Sequence, residues 1–152
     1  MVEKKIKTKV DRRKIGKQNR AKGLAFERKV RVDLTNKGWI VIKNPNNVID
    51  NEFKQGKSKY NPFTKQLMMN SGGLPDFIVY SPVVWATQFS MPITAIIGCE
   101  VKSNGYLDKE ERVKCDWMLN NNIFSRILIA QKDKSKRGKI KYEEYKPQNL
   151  NN

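Results

Sequence analysis

Two short stretches of this sequence carry charge where an apolar strand should carry none. In Gly72-Gly73-Leu74-Pro75-Asp76-Phe77-Ile78-Val79-Tyr80, an acid opens an apolar run. In Ile93-Thr94-Ala95-Ile96-Ile97-Gly98-Cys99-Glu100-Val101-Lys102, an acid and an amine close one. Side chains alternate across a strand, so Glu100 and Lys102 share a face and stand ~6.6 Å apart at ~3.3 Å rise per residue. Gly98, on the same face, leaves room for something to approach closely. A charge at the end of a buried strand is costly unless it is paired, hydrogen-bonded or bound to a metal. The plain reading is a structural ion pair between Lys102 and Asp76 or Glu100. The chemical reading is a phosphodiesterase site: two hard carboxylates hold Mg²⁺, which keeps waters for attack, and an ammonium positions that water or offsets charge on the phosphate.

Composition narrows the choice. The chain has 152 residues and no histidine, which excludes Ser-His-Asp and Cys-His catalysis and every His-containing zinc site. Two cysteines, Cys99 and Cys115, cannot make a four-thiolate site, and Cys99 falls on the apolar face of its strand, as a buried structural thiol would. With 31 Lys+Arg against 15 Asp+Glu, the formal net charge is +16, which favours a polyanionic partner, nucleic acid being the commonest. No apolar run reaches the ~18 residues that span a bilayer, and the basic N-terminus lacks an apolar h-region. A cytoplasmic protein without a membrane partner is the expectation.

The elements that must position these groups follow from hydrophobic period. Residues 1–17 are basic with no clear period, predicting a mobile arm or a frayed helix start. Over residues 1–37, fourteen Lys or Arg face four Asp or Glu, more than half of the charge excess. A helix is predicted over Gln18–Asn36, with Gly23, Phe26, Val30 and Leu34 on one stripe and Gly38 as its stop. Glu27 falls within that stripe. It is either paired with a lysine at the edge of the core or a third carboxylate beside Asp76 and Glu100.

Strands are predicted at Trp39–Ile42, Asp76–Tyr80 and up to Lys102. A second helix follows over Tyr106–Asn121, with Asp108 as N-cap and Val113, Trp117 and Asn120 or Asn121 facing inward. Strands at Ser125–Ala130 and Ile140–Tyr145 complete the set, the last an edge strand. Residues 44–70 read as a long irregular insertion, in which Lys54, Lys57, Lys59 and Lys65 interleave with Phe53, Tyr60 and Phe63, as suits phosphates and exposed bases. Trp85, Phe89 and Met91, between the second and third strands, either cap the core or form a patch against a second copy. This order gives an α/β chain: a meander of the first three strands, helices packed on the sheet, and a parallel fourth strand reached through the second helix. Residues 18–146 form the single domain and 147–152 a polar tail.

The pieces Phe26-Glu27-Arg28-Lys29-Val30, Leu74-Pro75-Asp76 and Glu100-Val101-Lys102, in this order, resemble the PD-(D/E)XK nuclease superfamily. The basic G-x-x-F-E-R-K-V helix followed by Gly38-Trp39 is similar to archaeal Holliday junction resolvases, and Gly72–Val79 to virus-type replication-repair (VRR) nuclease domains. Where the latter often begin a helix with L-S-P-E-Q, this chain has Leu107-Asp108-Lys109-Glu110-Glu111.

The resemblance implies a restriction-endonuclease-like αβββαβ core, with a mixed central sheet flanked by helices. It implies that Asp76 and Glu100 ligate Mg²⁺ or Mn²⁺ with help from the Val101 carbonyl. Lys102 would orient the attacking water, Glu27 would complete the carboxylate set, and Ser103 and Glu111 would be secondary candidates for positioning. The activity implied is hydrolysis of a DNA phosphodiester by a homodimer, on branched DNA or alternatively on flaps, ends or linear duplex. Arg12, Arg13, Lys14, Lys17, Arg20, Lys22, Arg28, Lys54, Lys57 and Lys59 are the expected DNA contacts. A protein that only binds nucleic acid through its charge is the remaining alternative.

Overall fold

The computed structural model describes residues 9–69, 72–80, 84–86 and 91–147. In chain order these form α1 (Lys9–Asn36), β1 (Ile40–Lys43), β2 (Asn47–Ile49), β3 (Glu52–Lys54), β4 (Ser58–Asn61), β5 (Gln66–Met69) and β6 (Phe77–Tyr80). They continue with β7 (Val84–Ala86), β8 (Met91–Ile93), β9 (Ile96–Val101), α2 (Lys109–Asn120), β10 (Arg126–Lys132) and β11 (Ile140–Glu144). No helix among the described residues is long and apolar enough to cross a membrane.

The protein is an α/β chain built on one mixed five-stranded sheet in the order β1-β6-β9-β10-β11. The first three are an antiparallel meander, in which Val41 faces Val79 and Phe77 faces Cys99. The chain then crosses over through α2 and returns parallel, with Leu128 beside Cys99 and Ala130 beside Val101. A hairpin adds β11 as the antiparallel edge.

Alternation along the strands gives the sheet two apolar faces, one per helix. On one, Phe26, Val30 and Leu34 of α1 bury against Val41, Phe77, Val79, Ile97, Cys99 and Ala130. On the other, Cys115 and Met118 of α2 bury with Leu74, Leu107, Phe124, Ile127 and Ile129. Each face thus holds one fully buried thiol, and burial pushes both Cys99 and Cys115 up to about 12.

Several expected elements are placed differently. Helix α1 begins by Lys9, so most of the expected basic arm is helical. Its 28 residues make a rod ~42 Å long at ~1.5 Å per residue. Residues 11–25 are all exposed and Phe26 is the first buried one, so Gly23 belongs to the solvated half and not to the core stripe. The inner face of α2 is Cys115 and Met118; Trp117 is only partly buried, and Val113, at 57% exposure, faces solvent. Asp108 does cap α2: it accepts from Glu111 N at 2.9 Å while Glu111 accepts from Asp108 N at 3.0 Å, a reciprocal capping box.

The expected irregular insertion is largely two small hairpins, β2–β3 and β4–β5. Asp50 and Asn51, both at positive φ, make the two-residue turn of the first, as short polar residues that tolerate this region do. Asn61 caps the turn of the second by accepting from Phe63 N at 2.9 Å. The third long strand is interrupted: β8 pairs with β7 in a separate hairpin, and β9 starts only at Ile96. Phe89 lies outside the described residues, as do the side chains of Trp85 and Met91.

A candidate catalytic site at one end of the sheet

Strand β1 ends, β6 begins and β9 ends at the same edge of the sheet, and α2 starts there. The register that sets Phe77 opposite Cys99 sets Asp76 opposite Glu100. Two hydrogen bonds cross between them: Asp76 N donates to Glu100 Oε2 at 3.0 Å, and Val101 N donates to Asp76 Oδ2 at 3.0 Å. Backbone amides thus fix both carboxylates.

The approach of Asp76 is held from behind by Asn44, 1% exposed. Its Nδ2 donates to Pro75 O at 2.9 Å, its Oδ1 accepts from Asn46 N at 3.0 Å, and its own N donates to Asp76 O at 2.9 Å. A Cβ on Gly73 would lie 1.8 Å from Asn44 O, so only glycine lets these segments close. Asn44→Ala should cost about 2–3 kcal/mol by stranding the buried Pro75 carbonyl and Asn46 amide. Urea unfolding at pH 7 measures this, and a loss below ~0.5 kcal/mol would show that water substitutes for the amide.

The lysines complete the network. Lys43 Nζ donates to Glu27 Oε2 at 2.9 Å and to Asp76 Oδ1 at 3.1 Å. Lys102 Nζ lies 3.2 Å from Glu100 Oε1 and pairs with Glu111 Oε1. Burial draws both ammoniums down, but hydrogen bonds and charge from Glu27 and Asp76 on Lys43, and from Glu111 and Glu100 on Lys102, hold both above the ordinary lysine value. Glu100, only 4% exposed, is the strained member. Burial, and then the charge of Asp76, push its carboxyl up to about 7 against the opposing pull of Lys102. A cleft of about 290 Å³ between Gly72–Leu74 and the first turn of α2 reaches Glu100 from solvent.

Glu27, Asp76, Glu100 and Lys102 therefore lie in one continuous network, joined by Lys43, which the sequence does not single out, and by Glu111, a secondary candidate for positioning. Both pairings weighed for the acids from sequence are present: Glu27 with a lysine at the core edge, and Glu100 with Lys102. Among the described residues no three acidic side chains converge closely enough to enclose an ion. Lys43 stands between Glu27 and Asp76, and Lys102 between Glu100 and Glu111. Gly98 is filled by the protein itself: a Cβ there would meet the Pro75 ring at 2.6 Å, so its small size serves packing. The Ser103 carbonyl accepts from Lys132 N at 3.3 Å, which ties the end of the cluster strand to β10.

Of the expected DNA contacts, Arg12, Arg13, Lys14, Lys17, Arg20, Lys22 and Arg28 all lie exposed along α1, without an ion pair among the described residues. Lys57 and Lys59 are exposed near the β4–β5 hairpin, where Tyr60 and Phe63 also face solvent. Lys54 differs from them, because its ammonium is already shared by Asp50 and Glu52 at 3.4 Å each.

Fold and site together define an α/β domain with a mixed five-stranded sheet, two helices and a charged cluster where three strands meet a helix start. No family model matches the chain, and neither a curated protein nor a solved structure matches it.

Proposed function

We propose that this chain is a divalent-metal-dependent nuclease of the PD-(D/E)XK type that hydrolyses DNA phosphodiesters, acting on branched DNA as a homodimer. The observation that carries this reading is the placement of Asp76 directly opposite Glu100, with Lys102 two residues on, at the open end of the sheet. The order α1, β1, β6, β9, α2, β10 supports an αβββαβ core of restriction-endonuclease type.

The donor chemistry suits Mg²⁺ or Mn²⁺: Asp76 and Glu100 offer hard oxygens, and Glu27, Asp76, Glu100 and Glu111 outnumber Lys43 and Lys102 by two negative charges when all are ionised, although the lysines occupy the space between the acids in the arrangement seen. Asp76, Glu100 and the Val101 carbonyl would hold the ion, with Glu27 on the Asp76 side. Bound there, it would acidify a water and offset charge on the phosphate. Lys102, gripped by Glu100 and Glu111, is a fixed ammonium able to orient that water. The exposed cations of α1, and Tyr60 and Phe63 among their lysines, supply phosphate and base contacts outside the cluster.

Labelled four-way junction, flap and linear duplex, each with Mg²⁺ and with EDTA, test the reading. Cleavage of the junction alone assigns branched DNA, and cleavage of the others assigns a related nuclease. No Mg²⁺-dependent cutting of any of them ends the assignment.

A second reading has its own support: in the observed arrangement lysines already satisfy the acids, as in a structural network of a protein that only binds nucleic acid. Lys43→Met separates the two. In the nuclease, the amine competes with the ion for Glu27 and Asp76. Its removal should tighten Mn²⁺ binding by roughly fivefold, since a half-exposed pair is worth ~1 kcal/mol. Mn²⁺ titration followed by electron paramagnetic resonance measures this, and undetectable Mn²⁺ binding in both proteins favours the structural network.

A further inference from the structure

The strongest unassigned feature is a cleft of about 540 Å³ on the α1 side of the molecule, between α1 and the β10–β11 hairpin. Lys22, Phe26 and Lys29 line one wall, following the helical repeat of α1. Lys132, Arg137 and Lys139 line the other. Five cations therefore face one opening, and the cleft contains a single acid, Asp133.

That acid is committed elsewhere. Asp133 Oδ1 accepts from Ser135 N at 2.8 Å, Ser135 Oγ at 2.6 Å and Lys136 N at 3.2 Å, so it builds the hairpin turn. None of the five cations forms an ion pair among the described residues. Two are positioned by uncharged partners: Lys29 Nζ donates to Gly138 O, tying helix to hairpin, and Lys132 Nζ sits 5.8 Å from the centre of the Phe26 ring. Five like charges against Asp133 in the turn and Asp33, which acts on Lys139 from α1, leave a net positive opening that an anion spanning it would stabilise.

The place of the cleft identifies that anion. Phe26 immediately precedes Glu27, and Lys132 N donates to the carbonyl of Ser103, the residue after Lys102. The cleft therefore lies beside the acidic cluster, at the same end of the sheet. We propose that it binds the sugar–phosphate backbone of a nucleic acid, at a phosphate next to the one presented to Asp76 and Glu100. Lys29, Lys132, Arg137 and Lys139 are contacts that sequence reading did not single out. For Lys132, Arg137 and Lys139 the signal lies in the run Lys132-Asp133-Lys134-Ser135-Lys136-Arg137-Gly138-Lys139, which reads as a charged turn until the fold brings it against Lys29 and α1.

The inference rests on the nucleic-acid half of the proposed function and not on cleavage, so it is tested in EDTA. Fluorescein-labelled DNA and RNA duplexes are titrated with full-length wild type, with Arg137→Glu/Lys139→Glu, and with Lys146→Glu as an exposed control outside the cleft. The double variant should bind at least ~10-fold more weakly, and its slope of log affinity against log salt should fall by about 2, while the control stays near wild type. A fall with either polymer supports the proposal and says which one the cleft takes. Wild-type affinity and slope in the double variant overturn it, as does a wild type that binds neither duplex. If circular dichroism shows the charge-reversed chain misfolded, Arg137→Gln/Lys139→Gln is measured instead, and an unchanged salt slope there is equally decisive against it. Absence of cutting with Mg²⁺ would defeat the nuclease reading and leave this result standing.

Discussion

Asp76→Asn should reduce Mg²⁺-dependent DNA cleavage by about a thousandfold or more, while DNA affinity in EDTA stays within about threefold of wild type. Asp76 accepts from Val101 N through one oxygen and from Lys43 through the other. An amide in its place keeps the side chain's shape and one acceptor but removes the charge that a cation requires. Lys102→Ala should give a loss of similar size for a different reason: the carboxylates remain, and only the amine between Glu100 and Glu111 is gone. The two variants therefore separate on Mn²⁺ binding, weakened in Asp76→Asn and retained in Lys102→Ala. Single-turnover cleavage of a labelled junction with parallel anisotropy titrations reads both quantities. Either variant cutting at the wild-type rate would remove the cluster from the chemistry.

The second large effect concerns stability and pH. Glu100 has its carboxyl pushed up to about 7 in the fold, against an ordinary value of 4.5. Below pH ~4.5 it is protonated folded and unfolded, and its burial carries no charge penalty. Above pH ~7 it is ionised in both states, and the folded protein bears the cost of a buried anion. Its contribution to stability therefore falls as pH rises from ~4.5 to ~7, by about 3 kcal/mol. The chain has no histidine, so above pH ~5.5, where ordinary carboxyls are already ionised, no other side chain ordinarily titrates in that interval. Urea-unfolding midpoints from pH 5 to pH 8 should decline in wild type and stay level in Glu100→Gln. A flat wild-type profile would show that Glu100 is not buried as an acid. In the nuclease reading, Mn²⁺ added at pH 8 restores wild type and does little for Glu100→Gln.

What could be read from sequence divides along physical lines. The apolar runs that Asp76 opens and Glu100 closes were legible because strand alternation leaves no room for an acid, so each one marks a sheet end. The N-cap of α2 was legible because Asp108 is a strong capping residue just before the helix, whereas the reciprocal contact of Glu111 emerges only in the fold. Lys43 was missed because a lysine at a strand end resembles an ordinary solvated residue. Only the fold shows that the end of β1 meets Glu27 and Asp76.

The start of α1 escaped because residues 11–25 are exposed on every side, leaving no apolar period to reveal a helix. On α2 a short helix with several apolar residues admits more than one inward face. Leu107 and the strand residues Ile127 and Ile129 decide for Cys115 and Met118. The hairpins within 44–70 are strands of three or four residues, too short for a period of two to stand out.

The paired thiols make the domain self-reporting. Cys99 lies in the layer under α1 and Cys115 in the layer under α2, both wholly shielded and both poorly ionised. An alkylating reagent can label either one only when its own layer opens. Pulsed labelling read by peptide mass then times the two halves of the molecule separately, with no engineered probe.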